Sequence, residues 1–245
     1  MVNSNNWFET WFDSPYYHLL YGNRSQEEAQ LFITNLIQYL SPPKDSKILD
    51  IACGKGRHAL ALANMHFDVT GIDLSSNSIT EAKKLTKNNL HFDIHDMRHP
   101  YKKNTFDYVF NCFTSFGYFD NDGNQACISA FAENLKQKGI LVIDFMNCEK
   151  AISNLVAKEI IQKGDITFNI SRIYSSGVIQ KTIQFKDSNK QMHTFTENVQ
   201  AITLNKFETY LNHCNLKIIN TFGDYNLSEF EHNNSDRLII IAQKN

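Results

Sequence analysis

Three acids and two glycines carry the part of this chain best suited to chemistry. Gly54 and Gly56 lie in the run Lys47-Ile48-Leu49-Asp50-Ile51-Ala52-Cys53-Gly54-Lys55-Gly56-Arg57-His58. The apolar stretch 48–51 predicts a strand, the glycines a tight turn, and 57–65 a helix. A turn without Cβ atoms lets a ligand approach the backbone. Strand, glycine turn and helix N-terminus together build a nucleotide-cofactor site at the C-terminal edge of a parallel sheet. Asp73 and Asp96 follow at the ends of two more strand-like stretches, 67–73 and 90–95.

Two cofactors compete for that turn. Gly54-Lys55-Gly56-Arg57-His58-Ala59 fits the dinucleotide pattern, with Asp73 nineteen residues after Gly54 as the ribose acid. A pyrophosphate needs donors and positive potential, and Asp50 just before the turn is repulsive to it. S-adenosylmethionine (SAM) has no phosphate, and its ammonium and sulfonium are both cationic, which suits Asp50. An Asp that only caps the turn is the alternative, but it leaves the later acids unexplained. Asp73 can accept both ribose hydroxyls. Asp96 can take the adenine amino group while Met97 packs on the ring.

On these residues the sequence resembles the class I SAM-dependent methyltransferases, over about residues 45–146. It resembles in particular a small-molecule branch with the segment Asn111-Cys112-Phe113-Thr114-Ser115-Phe116-Gly117-Tyr118-Phe119 after the fourth strand. The resemblance implies SAM as cofactor, held by Asp50, Ala52, Cys53, Gly54 and Gly56, by Asp73, Leu74, Asp96 and Met97, and by Asn111 and Phe113. It also implies an N-terminal helix closing over SAM, where Tyr17 and Tyr21 are candidates for contacts near the sulfonium, whose charge an aromatic face attracts. Methyltransferases of adenine or glutamine amides carry Asn/Asp-Pro-Pro-Tyr after this strand. Here Asn111 is followed by Cys-Phe-Thr, which argues against a nucleic-acid or protein amide acceptor; the small-molecule substrate is what the resemblance to that branch implies.

Methyl transfer from a sulfonium is an in-line displacement with its leaving group built in, so alignment and exclusion of water matter most. Tyr118, His58 and Arg98 are the catalytic candidates, with Arg57 beside them. Arg57 and Arg98 could grip a substrate carboxylate in bidentate fashion; ion pairs with Asp50, Asp73 or Asp96 carry at least equal weight. His91, His95 and His99 recur every four residues, which on a helix suits a metal. Phe92 and Ile94 alternate as in a strand and Pro100 ends the run, so no metal site is expected.

The elements that must position these residues follow a β-α alternation. The expected fold is α/β, a doubly wound, seven-stranded Rossmann-like sheet with a C-terminal antiparallel hairpin and a small antiparallel β insertion. Residues 1–24 are expected to form an N-terminal lid, dense in Trp7, Phe8, Trp11, Phe12, Tyr16, Tyr17 and Tyr21, with Asp13 or Ser14 capping a helix begun by Pro15. Residues 25–157 are the cofactor-binding core, opened by a capping box at Ser25-Gln26-Glu27-Glu28. Within the core, helices are expected over 76–88 and over 122–138, the latter ended by Gly139 in a C′ position. Alternation over 158–201 predicts three antiparallel strands, read as a platform over the substrate site, with a homodimer contact as the competing explanation. Residues 202–245 complete the sheet, with Thr203 capping a helix and Gly223-Asp224-Tyr225 at a strand end.

Composition narrows the class. The formal charge is −2 with dispersed Lys and Arg, which gives no footprint for nucleic acid. No apolar run approaches the ~18 residues of a membrane span, and residues 1–6 lack a secretory h-region. Five cysteines without a C-x-x-C suit reduced thiols in a cytoplasm. An NAD(P)-dependent oxidoreductase and a non-catalytic SAM or S-adenosylhomocysteine binder stay open as alternatives.

Overall fold

The computed structural model describes residues 6–22 and 26–245; the expected cap residue Ser25 lies outside them. A seven-stranded sheet has the order β10-β11-β5-β4-β1-β2-β3. Strands β1 (Lys47–Ile51), β2 (Asp68–Asp73), β3 (Leu90–Ile94), β4 (Phe106–Asn111) and β5 (Leu135–Met146) run parallel. β11 (Arg237–Lys244) inserts antiparallel between β5 and β10 (Leu216–Phe222). The strand order reverses between β1 and β4, and the crevice beyond their C-terminal ends is where such sheets hold ligands.

Helices cover both faces. Residues of α3 (Gln26–Leu40), α4 (Arg57–Asn64) and α5 (Ser76–Ala82) join one core cluster with Ile48. Those of α6 (Asn121–Asn134) and α8 (Leu204–Asn212) join the other with Leu49 and Ile51. Alternate side chains of one strand feed opposite layers, so β1 is buried from Ile48 to Ile51. On α3, Ala29, Phe32, Ile33, Leu36 and Ile37 form the inward stripe that their helical spacing predicts. Thr203 caps α8 as expected, accepting from Lys206 N at 3.4 Å.

Two helices are shorter than their sequence pattern. α5 stops at Ala82 and gives way to a single 3₁₀ turn, Lys83–Leu85. A tight reversal, in which Leu90 N donates to Lys87 O at 2.9 Å, then starts β3. α6 ends at Asn134, whose side chain accepts from Tyr101 N (2.8 Å) and Lys102 N (2.9 Å). Gly139 therefore lies inside β5 and is no helix cap. A Cβ there would stand 2.9 Å from Leu135 Cδ2 and 3.1 Å from Asp107 O, so close approach to β4 is what the glycine permits.

The insertion has four strands rather than three, β6 (Lys158–Lys163), β7 (Ile166–Ser175), β8 (Val178–Lys186) and β9 (Met192–Gln200), paired in that order. β6 escapes a pattern search because Ile160 and Ile161 are adjacent and Ile160 is 71% exposed. The aromatic N-terminus forms two short helices, α1 (Trp7–Phe12) and α2 (Pro15–Tyr21), with Ser14 Oγ accepting from Tyr16 N. Trp7, Phe8, Trp11 and Leu20 pack on Phe168, Ile170, Ile183 and Phe185 of the insertion, a third cluster. Asp13 ties the N-terminal helices to the core, accepting from Ser75 Oγ at 2.6 Å and from Asn77 N at 3.0 Å.

Candidate functional site

The glycine turn sits at the reversal of strand order and is held from below. Cys53 N donates to Ile72 O (3.0 Å) and Gly56 N to Cys53 O (2.9 Å). Gly54 has φ +56° and open space where a Cβ would be; Gly56 has φ +82° with Phe92 Cζ only 2.6 Å from that position. One glycine thus clears the ligand side of the turn and the other lets it close onto β3. Asp73 fixes the turn from β2, accepting from Gly54 N and Ser75 N, each at 2.8 Å. Burial raises its carboxyl above the usual range, opposed by these N–H bonds.

Above this turn is a cavity of about 710 Å³, within the ~300–1,000 Å³ typical of small-molecule sites. The sheet supplies Ala52, Cys53, Gly54, Asp73, Leu74, Asp96, Met97 and Phe113 to its wall, and the N-terminal helices supply Tyr17 and Tyr21. These ten sequence candidates are thereby brought together. Three others are not on the wall. Asp50 is 1% exposed; its side chain follows Ile48 to the α4 face of the sheet, where it accepts from Ala59 N. Asn111 is fully buried and donates to Ile51 O (3.2 Å) and Ser115 O (3.1 Å). Gly56 packs on Phe92.

Asp50, His58 and Cys112 place their polar atoms within 4.8 Å of one another, all buried. Burial first, and then the charge of Asp73, raise the Asp50 carboxyl to about 7, and its Oδ2 has no hydrogen-bond partner among the described residues. Burial and the neighbouring Arg57 lower His58 to about 3. The imidazole is therefore neutral and a weak base, which removes His58 as a strong proton acceptor although it reaches the cavity wall. Burial also pushes the Cys112 thiol up, so it stays protonated.

Arg98 is the clearest correction among the catalytic candidates. It is not on the wall: its guanidinium closes a bidentate pair on Asp96, with Nη2 to Oδ2 at 2.5 Å and Nε to Oδ1 at 3.1 Å. Burial opposes the charge of Asp96, and the bonds from Arg98 outweigh it and hold the carboxyl below its ordinary value. Tyr118 does line the cavity, with its hydroxyl donating to Thr114 O at 2.7 Å. Arg57 lies over the Phe113 ring, 4.5 Å from its centre. His95 Nε2 donates to His99 O at 2.9 Å.

Sequence reading missed the residues that the insertion and C-terminus contribute: Arg172, Lys181, Glu197 and Arg237 all line the cavity. Phe113 and Thr114 adopt left-handed φ of 65° and 58°, costly for non-glycine residues. Asp144 and Arg237 hold them there. Phe113 N donates to Asp144 Oδ2 (2.7 Å), Arg237 Nε to Asp144 Oδ1 (2.7 Å) and Arg237 Nη2 to Thr114 Oγ1 (3.0 Å). Tyr225 completes the group, donating to Asp144 Oδ2 at 3.1 Å, which gives Gly223-Asp224-Tyr225 its place. No sequence signal marks such a network, because its members are 31 to 123 residues apart.

Comparison with known proteins identifies the centre of this chain. Residues 48–139 match the model of a methyltransferase domain. That stretch is similar to a methyltransferase domain. The matched residues hold the glycine turn, Asp73 and Asp96, and the seven-stranded order with its inserted antiparallel strand surrounds them. A Streptomyces venezuelae dTDP-3-amino-3,4,6-trideoxy-alpha-D-glucopyranose N,N-dimethyltransferase is 32% identical over 133 residues, 52% of this chain and 54% of that relative, about half of each. A Clostridium acetobutylicum S-adenosylmethionine-dependent methyltransferase superposes with a TM-score of 0.78 at 19% identity, covering 93% of this chain and 95% of that one. SAM-bound CalS10, an amino pentose methyltransferase from Micromonospora echinaspora, superposes with a TM-score of 0.68 at 15% identity, covering 95% and 98%. Among the described residues no helix is long and apolar enough to cross a membrane.

The cavity fits SAM on its own donor set. Asp73 and Asp96 line it together with the rings of Trp7, Phe8, Phe12, Tyr17, Tyr118 and others. Carboxylates suit ribose hydroxyls and an exocyclic amine, and aromatic faces attract a sulfonium.

Proposed function

We propose that this protein is a SAM-dependent methyltransferase that acts on an amine nitrogen of a small polar molecule. The observation that carries the reading is the single cavity shared by the glycine turn, Asp73 and Asp96 on one side and by Arg172, Lys181 and Glu197 of the insertion on the other. Bound SAM would supply a methyl group activated by the sulfonium that carries it. Asp73 accepts the ribose hydroxyls, Asp96 and Met97 receive the adenine, and Gly54 gives the cofactor room at the backbone. Phe113, fixed by Asp144 and Arg237, shapes the floor where donor and acceptor meet. The N-terminal rings act as a lid and exclude water, leaving alignment as the main source of rate. The insertion forms the acceptor's side of the cavity, and the amino-sugar substrate named for the Streptomyces venezuelae relative supports an amine acceptor. The five cysteines are free thiols, which supports a reducing, cytoplasmic setting.

The test has two arms. Calorimetric titration is expected to give micromolar binding of SAM and S-adenosylhomocysteine, about −8 kcal/mol, and no binding of NAD. Asp73→Ala is expected to weaken SAM by roughly tenfold or more, since a bond to a charged group contributes about 1.5–3 kcal/mol. Mass spectrometry then follows methyl transfer to dTDP-3-amino-3,4,6-trideoxy-α-D-glucopyranose. Binding of NAD in place of SAM overturns the cofactor; SAM binding without any methylated product overturns the amine acceptor.

A further inference from the structure

Glu197 on β9 and Lys181 on β8 are register partners across the insertion sheet. Their side chains are only 14% and 13% exposed, and both face the cavity. The N-terminal helices deliver two donors to a single oxygen of Glu197: Trp11 Nε1 at 2.6 Å and Tyr21 Oη at 2.7 Å from Oε1. Lys181 Nζ donates to the Tyr21 hydroxyl and stands 3.8 Å from Glu197 Oε2. The Tyr21 hydroxyl thus lies between an ammonium and a carboxylate, on the cavity wall. Arg172 of β7 shares this wall, with its charge already paired to Glu159 of β6 at 2.6 Å.

An amine acceptor raises a problem that His58 and Arg98 do not solve. At neutral pH an alkyl amine arrives as an ammonium, whose nitrogen has no free electron pair. His58 is a weak base and Arg98 is locked on Asp96. We propose, resting on the methyl-transfer reading above, that Tyr21, Glu197 and Lys181 form the unit that removes this proton. An N–H bond of the acceptor breaks as its proton passes to Tyr21 Oη. The Tyr21 O–H bond breaks in the same step, and that proton passes to Glu197 Oε1. Lys181 offsets the negative charge that develops on the phenol oxygen during the relay. The acceptor nitrogen keeps the electron pair and becomes nucleophilic, and the proton on Glu197 leaves to solvent after product release. The unit is complete only when the N-terminal helices dock on the insertion, which ties proton removal to closure of the site.

Glu197→Gln keeps an oxygen for Trp11 and Tyr21 but cannot take a proton, and Tyr21→Phe keeps the ring without the relay. Both are assayed with SAM and dTDP-3-amino-3,4,6-trideoxy-α-D-glucopyranose from neutral to alkaline pH, with SAM affinity and tryptophan emission as checks on the fold. The expected result is a loss of about 10²-fold or more in kcat at neutral pH, with SAM affinity unchanged. That loss should shrink as pH passes the acceptor amine's own pKa, where solvent removes the proton instead. Wild-type kcat in both variants overturns the proposal. So does a loss of the same size at every pH, which is what a purely structural latch gives. A wild type that binds SAM but leaves the amino sugar unmethylated overturns the amine reading itself, and this assignment with it, before any variant is compared.

Discussion

Asp50 is the residue whose meaning changes most between sequence and structure. Its place before the glycine turn suggests a ligand contact, yet β1 carries it to the buried α4 face beside His58. The pair has opposite effects on stability. Asp50 holds its proton in the native state up to about pH 7, while the unfolded chain releases it near pH 4. Native protein therefore binds the extra proton, and this contribution is lost as pH rises toward 7. His58 refuses a proton down to about pH 3, whereas the unfolded chain takes one below about 6.5. That contribution is lost as pH falls. The two slopes oppose each other between about pH 4 and 6.5. Asp50→Asn removes the first, so the variant's stability should climb more steeply with pH over that window than the wild type's. Its advantage over wild type should then level off above pH 7. Urea titrations at a series of pH values measure this; identical pH profiles would mean that Asp50 ionises freely in the folded protein.

At the scale of elements, the turn between β1 and α4 separates two tasks that look alike in sequence. Gly54→Ala meets no neighbour within 4 Å, so its cost to the fold is the left-handed φ, about 1 kcal/mol, while the added methyl occupies ligand space. Gly56→Ala drives a Cβ to 2.6 Å from the Phe92 ring, an overpacking worth about 1–3 kcal/mol before backbone strain is added. Gly54→Ala should therefore weaken SAM binding with a small change in melting temperature, and Gly56→Ala should do the reverse. Calorimetry and thermal melts on the two variants decide it, and equal effects of both on both readouts would contradict the division.

At the scale of the whole molecule, the described chain has three buried clusters, two against the sheet and one between the N-terminal helices and the insertion. Both tryptophans, Trp7 and Trp11, belong to the third. Among the described residues its links to the core include the Asp13 bonds to Ser75 and Asn77, the bond from Gln200 N to Gly117 O at 2.7 Å, and ring contacts such as Trp7 to Tyr118 at 5.3 Å and Phe8 to Phe119 at 5.1 Å. Among those residues no strand pairing joins the two sheets. Local opening should therefore precede global unfolding. Tryptophan emission is expected to change at lower urea than far-ultraviolet circular dichroism, in departure from two-state behaviour. Coincident transitions would show that the N-terminal helices and insertion unfold with the sheet.

The doubly wound sheet, its closing antiparallel strand and the strand-end acids are legible in the amino-acid sequence. Each follows from local pattern: buried runs such as Ile48–Ile51, caps such as Thr203, and Gly54 and Gly56 at fixed spacing. It placed Asp73, Asp96, Met97, Tyr17 and Tyr21 on segments that do meet at one cavity, because strand ends of a parallel sheet converge on one edge. What fills the other side is set by long-range packing. Lys181, Glu197 and Arg237 stand on separate strands with no motif around them, and their meeting with Tyr21 and Thr114 depends on how the insertion and N-terminus fold back. Burial is likewise non-local. Whether Asp50 faces a ligand or the core depends on which strands and helices flank β1, and whether Arg98 meets substrate depends on the geometry that brings Asp96 within its reach.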